Sequence, residues 1–430
     1  MVKVKKCFLI TVDMGYGHQR TAFPLKFLSQ NEIIVANNYP EIPKKDKKIW
    51  QNTRKFYEAI SRIERFPLLG KLIFKAFDQF QKIKSFYPKR DLSLPNFSTR
   101  VAYSFFKSGW GKNLIEKLKS ESLKRGNNLP IVSTFFTPAF MAEYFQYPGE
   151  IFCVICDADI SRSWAPLNPQ KSKIKYFAPT ERVVERLKLY GVKSENIFFT
   201  GYPLPKENLE TLEDDLRFRI LNLDPEKNYS RKYQDLITSK LENLPETPDH
   251  PLTILFSVGG AGAQKEIGFW ILKSLKEEIL KENLKIILSA GIRKETKDYF
   301  LKKIKSLMLE DKIEKSVEIL YEEKIENYFQ RFNTLLKKTD ILWTKPSELS
   351  FYSLLGIPII CAPPLGSQEE FNLRWLIKSG FGILQENPKY TREWLFDWIK
   401  RGYLAEMAIE AFVEGEKFGT FNIERIIASL

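Results

Sequence analysis

Residues 6–18 read Lys6-Cys-Phe-Leu-Ile-Thr-Val12-Asp13-Met-Gly15-Tyr16-Gly17-His18. A short apolar run bounded by a glycine loop predicts a buried strand followed by a tight turn. The polar residues after His18 open a helix, which Pro24 limits or kinks. The same design returns about 245 residues further on, as Leu252-Thr-Ile-Leu-Phe-Ser-Val258-Gly259-Gly-Ala-Gly262. Two strand-then-glycine openings predict two α/β units.

The intervening sequence fits that reading. Short apolar runs at 33–36, 131–134, 151–156, 176–178 and 197–200 alternate with helical patterns. After the second opening come runs at 286–289, 317–320, 341–343 and 357–361. Strand–helix alternation of this kind gives parallel sheets covered on both faces. A helix over 181–190 ends at Gly191, a residue suited to a left-handed C-cap. The boundaries expected are an N-terminal domain over 1–204, a proline-rich linker with short helices over 205–250, a second α/β domain over 251–391, and closing helices over 392–430.

The chain of 430 residues has a formal net charge of +14, and the excess is not evenly spread. Residues 1–110 carry 21 Lys/Arg against 8 Asp/Glu, and residues 44–90 alone carry 14 against 4. The same stretch holds Trp50, Phe56, Tyr57, Phe66, Phe74, Phe77, Phe80, Phe86 and Tyr87 at helical spacing. It reads as a basic amphipathic insertion over about 44–110, with helices at 49–64 and 68–86 separated by Pro67-Leu-Leu-Gly70. Basic helices with aromatic faces suit an anionic membrane surface. The alternative is that the aromatic stripe packs on the core while the charges face water.

Other classes are excluded. No apolar run approaches the roughly 20 residues of a membrane span, and the N-terminal apolar stretch is short for a signal peptide. Four cysteines, Cys7, Cys153, Cys156 and Cys361, form no disulfide framework, so a cytoplasmic location is expected. Cys153 and Cys156 fall in one apolar run and read as core residues. With only His18 and His250, a multi-histidine metal centre is impossible, and no metal or cofactor is expected. Neither glycine loop completes Gly-x-Gly-x-x-Gly, because Arg20 stands in the last position of the first. No nucleic-acid reading motif is present.

In parallel sheets, ligands bind beyond the carboxyl ends of the strands. Asp13, Gly15, Tyr16, Gly17 and His18 fall at one such end. A carboxylate and an imidazole five residues apart across a tight loop can converge on one hydroxyl as proton acceptors. A turn or capping role is the plainer alternative for each. Gly259, Gly260, Ala261 and Gly262 fit a diphosphate, since exposed amides at a helix start favour adjacent negative charges. In Thr344-Lys345-Pro-Ser347-Glu348, Ser347 can cap a helix, and Glu348 can accept hydrogen bonds from sugar hydroxyls. Gln368, Glu369 and Asn372, after Pro363-Pro-Leu-Gly, are short polar groups able to read a polyol. Asp157, Asp159 and Trp164 follow another strand, where each either meets a ligand or serves the fold.

Taken in order, these blocks resemble a known family. Asp13-Met-Gly-Tyr-Gly-His18 is similar to the Asp-x-Gly-Gly-Gly-His loop of monogalactosyldiacylglycerol synthases and processive diacylglycerol glucosyltransferases. Val258-Gly-Gly-Ala-Gly262, Thr344-Lys-Pro346, Pro363-Pro-Leu-Gly-Ser-Gln-Glu-Glu-Phe-Asn372 and the run from Tyr176 to Pro203 resemble four further blocks in the same order. The resemblance implies the glycosyltransferase B fold, two Rossmann-like domains facing a cleft. It implies an inverting transfer from a nucleoside-diphosphate sugar, here a UDP-sugar, to a hydroxyl of a membrane lipid, without metal, at the cytoplasmic face of the membrane.

On that resemblance Asp13 and His18 become the base and its partner, with Gly15, Tyr16, Gly17 and Trp164 around the acceptor. Residues 259–262, Lys345, Ser347, Glu348, Gln368, Glu369 and Asn372 become donor contacts. Two departures stand out. Tyr16 replaces a glycine, and Ser347-Glu348 replaces a glycine-rich turn. Two other functions stay open: a nucleotide-sugar epimerase or soluble-acceptor transferase on the same fold, and a non-catalytic lipid- or ligand-binding protein.

Overall fold

The computed structural model describes residues 5–63, 83–259, 262 and 264–430, with the backbone alone for 54–63 and 367. The chain forms two compact units. The first is Met1–Pro203 with Leu365–Phe371 and Phe418–Leu430; the second is Leu204–Pro364 with Asn372–Lys417.

The first unit is built on six strands: β1 (Phe8–Thr11), β2 (Ile34–Val35), β3 (Ile131–Ser133), β4 (Ile151–Val154), β5 (Lys175–Ala178) and β6 (Ile197–Phe199). They form one sheet in the order β2-β1-β3-β4-β5-β6, and every pairing is parallel. Leu9 pairs with Val132, whose register continues to Phe152. These three, with Phe177, Leu25, Leu28, Ile423 and Ile427, make one buried cluster. The last helix, Gly419–Ala428, thus returns from the chain's end to close this unit's core. Burial on both faces explains why the strands read as unbroken apolar runs.

The second unit repeats the plan with β7 (Leu252–Ser257), β8 (Leu284–Gly291), β9 (Val317–Tyr321), β10 (Ile341–Thr344), β11 (Ile359–Cys361) and β12 (Gly382–Leu384). The order is β12-β11-β10-β7-β8-β9, again parallel throughout. Residues 205–250, which read as linker, lie within this unit. Their helix Leu212–Leu223 buries Leu216, Arg219 and Ile220. The Arg219 guanidinium donates to the carbonyls of Thr339, Leu355 and Leu336 at 2.8–3.2 Å. A polar, proline-rich stretch is therefore held by one buried cation and an apolar face.

In each sheet the strand order reverses beside the opening strand, between β1 and β3 in the first and between β7 and β10 in the second. A reversal leaves a crevice at the carboxyl ends, because the two flanking connections leave in opposite directions. Both glycine loops sit at such a point.

The helix expected at 49–64 of the insertion falls almost wholly within an observed one. A helix runs over Lys44–Ile63, and a second over Phe97–Lys107. The helix expected at 68–86 lies outside the described residues up to 82, and 83–86 has no regular structure. Trp50 is a core residue, 3% exposed, with its ring 4.8 Å from Trp110 and 6.5 Å from Phe135. At that position the plainer reading of the aromatic stripe holds. Among the described residues, no helix is long and apolar enough to cross a membrane.

Candidate active site

β1 ends at Thr11, and the loop after it is clamped by Asn37, beyond β2. The Asp13 N–H donates to Asn37 Oδ1 (2.8 Å), while Asn37 Nδ2 donates to the Asp13 carbonyl (3.0 Å). Gly15 then takes φ 98°, ψ 173°, a conformation that favours glycine, and the helix Tyr16–Ala22 begins. Asp13 is half-buried and accepts from Gln19 Nε2 at 3.3 Å. Tyr16, in the place of a family glycine, turns inward and is 8% exposed. Gly15 is exposed and Gly17 half-buried.

His18 sits in the first turns of that short helix and reaches across the reversal point to the end of β3. Its Nδ1 lies 2.9 Å from the Thr134 carbonyl oxygen. The Thr134 hydroxyl in turn donates to the His18 carbonyl at 2.9 Å. A carbonyl only accepts, so the proton of the neutral ring is on Nδ1 and Nε2 carries the lone pair. The ring packs 4.7 Å from Phe135 and 6.3 Å from Trp164. Burial pushes the imidazole pKa down to about 4, a shift the Thr134 carbonyl partly offsets. His18 is thus an oriented, neutral imidazole at neutral pH.

The residues beyond β4 are largely engaged in the fold. Trp164 is 2% exposed and accepts at its carbonyl from Tyr176 Oη (2.9 Å); its indole backs Phe135, Phe136 and His18. Cys156 lies beyond β4, not in it, and its Sγ is 3.4 Å from His18 Nδ1. Both Cys153 and Cys156 are buried, in line with their reading as core residues. Asp159 serves the fold, making a buried bidentate pair with Arg186 at 2.7 and 2.8 Å.

At the second reversal point, Gly259 follows β7 at φ 67° and Gly262 has φ 65°. The Gly262 N–H donates to the Gly259 carbonyl (3.2 Å), closing the turn. Gly260 and Ala261 lie outside the described residues. Lys345 comes from the end of β10 and lies against Gly259: a Cβ on Gly259 would stand 3.0 Å from Lys345 Cε. From β8, Arg293 approaches the other side, 3.3 Å at Cδ from the Cβ position of Gly262. Thr344 Oγ1 donates to the Ser257 carbonyl at 3.2 Å and ties the two strand ends together. Two cations beside a glycine turn at a helix start suit a diphosphate.

The remaining donor candidates scatter more. Ser347 does cap, through a long 3.5 Å bond from Leu349 N, but the element is the 3-10 helix Glu348–Leu355. Glu348 is half-buried at its start. Gln368 is exposed, and Glu369 accepts from Leu365 N at 2.7 Å; both belong to the first unit's set. Asn372 is 1% exposed in the second unit. Asn37, Thr134 and Arg293 were missed in the sequence. Each is a polar residue just past a predicted or observed strand end, which is the one signal that would have raised them.

A processive diacylglycerol beta-glucosyltransferase of Bacillus licheniformis is 22% identical over 392 residues, 88% of this chain and 83% of the relative. That of Bacillus subtilis matches with the same identity and the same coverage. In sequence, the chain is similar to processive diacylglycerol beta-glucosyltransferases. A family model described as a domain of unknown function, DUF6938, matches residues 245–372, which hold the glycine turn, Arg293 and Lys345. Among solved structures, a putative UDP-N-acetylglucosamine 2-epimerase from Listeria monocytogenes aligns with TM-score 0.46 and 11% identity, covering 74% of this chain and 78% of that one.

Proposed function

We propose that the protein is an inverting glycosyltransferase that moves a hexose from a UDP-sugar to the free hydroxyl of a diacylglycerol-type membrane lipid. The observation that carries this reading is His18: a histidine whose Nδ1–H is committed to a backbone carbonyl and whose Nε2 makes no hydrogen bond among the described residues. Likeness to diacylglycerol glucosyltransferases over 88% of the chain supports the lipid acceptor.

In this mechanism His18 Nε2 removes the hydroxyl proton as the acceptor oxygen attacks the anomeric carbon. The bond from that carbon to the diphosphate breaks, and the electron pair leaves with the nucleotide. Asp13, in the same loop, is the carboxylate partner of the base. In the second unit, Lys345, Arg293 and the 259–262 amides meet the negative charge that grows on the leaving diphosphate, where fixed donors stabilise a transition state most. No metal enters this scheme. The basic first quarter of the chain holds the enzyme at an anionic bilayer as a peripheral protein on the cytoplasmic side.

The test is direct. Purified protein, UDP-glucose or UDP-galactose, and diacylglycerol in mixed micelles are incubated and the lipids separated. A glycosylated lipid with inverted anomeric configuration is the expected product. Interconversion of the UDP-sugar with no lipid product would replace this reading with an epimerase.

A further inference from the structure

We propose that residues 87–97 and the end of the helix Glu181–Leu189 form a docking site for the phosphate headgroups of an anionic bilayer. The inference rests on the reading that the acceptor is a lipid and names the surface that meets the membrane. Three large apolar side chains stand out from this stretch: Tyr87 is 67% exposed, Leu94 80% and Phe97 63%. Exposed apolar groups on a loose loop would mean little, but this loop is held. Arg162 donates twice to the Ser93 carbonyl, at 3.0 and 2.6 Å, and Arg186 donates to the Lys84 carbonyl at 2.9 Å. Leu92 N donates to the Leu189 carbonyl, and Phe86 is buried beneath the Arg182 guanidinium at 3.7 Å. The loop therefore keeps these three apolar side chains turned to solvent at fixed positions.

Residues of the same loop line an open cavity of about 500 Å³, whose lining includes Lys89, Arg90, Asp91 and Lys188. Asp91 is turned to its own loop, accepting from Ser93 N at 2.8 Å. Lys89 shares its charge with Glu185 at 3.0 Å. Arg90 donates to the Ser85 and Pro88 carbonyls, which braces the turn and leaves its charge in place. The Lys188 side chain is exposed and makes no hydrogen bond or ion pair among the described residues. Over 83–107 the sequence carries five Lys/Arg against one Asp. Cations around an open cavity, with exposed apolar side chains carried by the same fixed loop, match the layered chemistry of a bilayer edge: phosphate outside, acyl chains beneath. A soluble protein partner would not call for both.

The experiment is sedimentation of the full chain with vesicles of phosphatidylglycerol in phosphatidylcholine, against pure phosphatidylcholine, at two salt concentrations. Wild-type protein is expected to bind the anionic vesicles and to release as salt rises. Lys188→Glu should weaken that binding by about ten-fold or more, since each basic charge near the surface is worth roughly five-fold. The pair Leu94→Asp and Phe97→Asp should weaken it further. All three sites are exposed, and unchanged thermal unfolding verifies the fold. Equal binding by wild type and variants overturns the proposal, as does absence of binding to anionic vesicles. Full displacement by millimolar glycerol phosphate also overturns it, in favour of a soluble anion. Binding needs no turnover: if these vesicle results hold while no sugar reaches any lipid, the transferase reading fails and this surface stands.

Discussion

His18 Nδ1 is 2.9 Å from the carbonyl oxygen of Thr134, two residues drawn together from the ends of β1 and β3 across 116 positions of chain. The carbonyl fixes the tautomer, the Thr134 hydroxyl fixes the His18 backbone, and aromatic packing keeps the ring from charging. None of the three needs a ligand: the imidazole is oriented by the fold itself.

A pH profile follows from that burial. With a pKa near 4, His18 keeps its lone pair well below the usual histidine range. As a base it is active when neutral, so the acid limb of kcat/KM should fall near pH 4 to 5 and not near 6.5. A limb at 6.5 would show an exposed, ordinary imidazole. Stability runs the same way: the group is neutral when folded and binds a proton more readily when unfolded, so folding weakens as pH drops from 6.5 toward 4. Unfolding must therefore be followed in parallel by circular dichroism.

His18→Gln should reduce transfer by roughly 10²–10⁴-fold, the usual contribution of a positioned base. UDP binding should be untouched, since the imidazole belongs to the first unit. Asp13→Asn keeps the backbone clamp to Asn37 and should cost less than His18→Gln. If the order is reversed, the carboxylate is the base and the imidazole its partner.

The glycine turn makes a separate prediction. Gly259 at φ 67° puts any side chain in a left-handed backbone, costing about 1–2 kcal/mol of stability in Gly259→Ala. The new Cβ would meet the flexible end of Lys345 at 3.0 Å, which can move aside. The fold should survive while the cation is displaced from the loop. Lys345→Met removes the charge alone, and loss of a charged hydrogen bond of about 1.5–3 kcal/mol would weaken UDP binding by roughly ten- to a hundred-fold. Calorimetry on both variants reads this, and unchanged affinity in both would move the diphosphate elsewhere.

Much of the fold was legible because parallel strands buried on both faces leave unbroken apolar runs, and the glycine loops mark where they end. What local pattern could not reveal is sheet order. The crevices between β1 and β3, and between β7 and β10, arise from pairings across more than eighty residues, so Thr134 and Arg293 had no neighbour in sequence to announce them. Helical periodicity showed that Trp50 has an apolar face to satisfy but not what it meets. Cys156 is buried, as its apolar run implied, but the strand stops at Val154, and the pattern gave no sign that its thiol would lie 3.4 Å from His18.

Trp50 gives a test of that distinction. Buried at 3% against Trp110, its removal should cost about 3–5 kcal/mol in Trp50→Ala, as for other large core aromatics. Unfolding in urea measures it. A membrane-facing tryptophan would leave stability alone and weaken vesicle binding instead, and that result would place the helix Lys44–Ile63 differently.

The other histidine sits at the opposite end of the second sheet, where its pH dependence is structural. His250 precedes β7, with Nε2 3.3 Å from Asp340 and Nδ1 hydrogen-bonded to Asp249. Asp340 is fully buried and also accepts from Thr253 N (2.8 Å) and Asn222 Nδ2 (3.0 Å). Lys338 pairs with Asp249, and buried Arg219 is close enough to favour the Asp340 charge. Burial alone would lower the imidazole pKa, but the two carboxylates more than offset it and hold the value above the ordinary 6.5. A raised histidine stabilises the fold fully below pH 6.5, and that contribution is lost as pH climbs through the folded value. Wild type should therefore exceed His250→Gln in Tm by more at pH 6 than at pH 8.5. A gap that stays constant across this range would mean that the ring is held neutral and that its hydrogen bonds alone tie residues 249–251 to the start of β10.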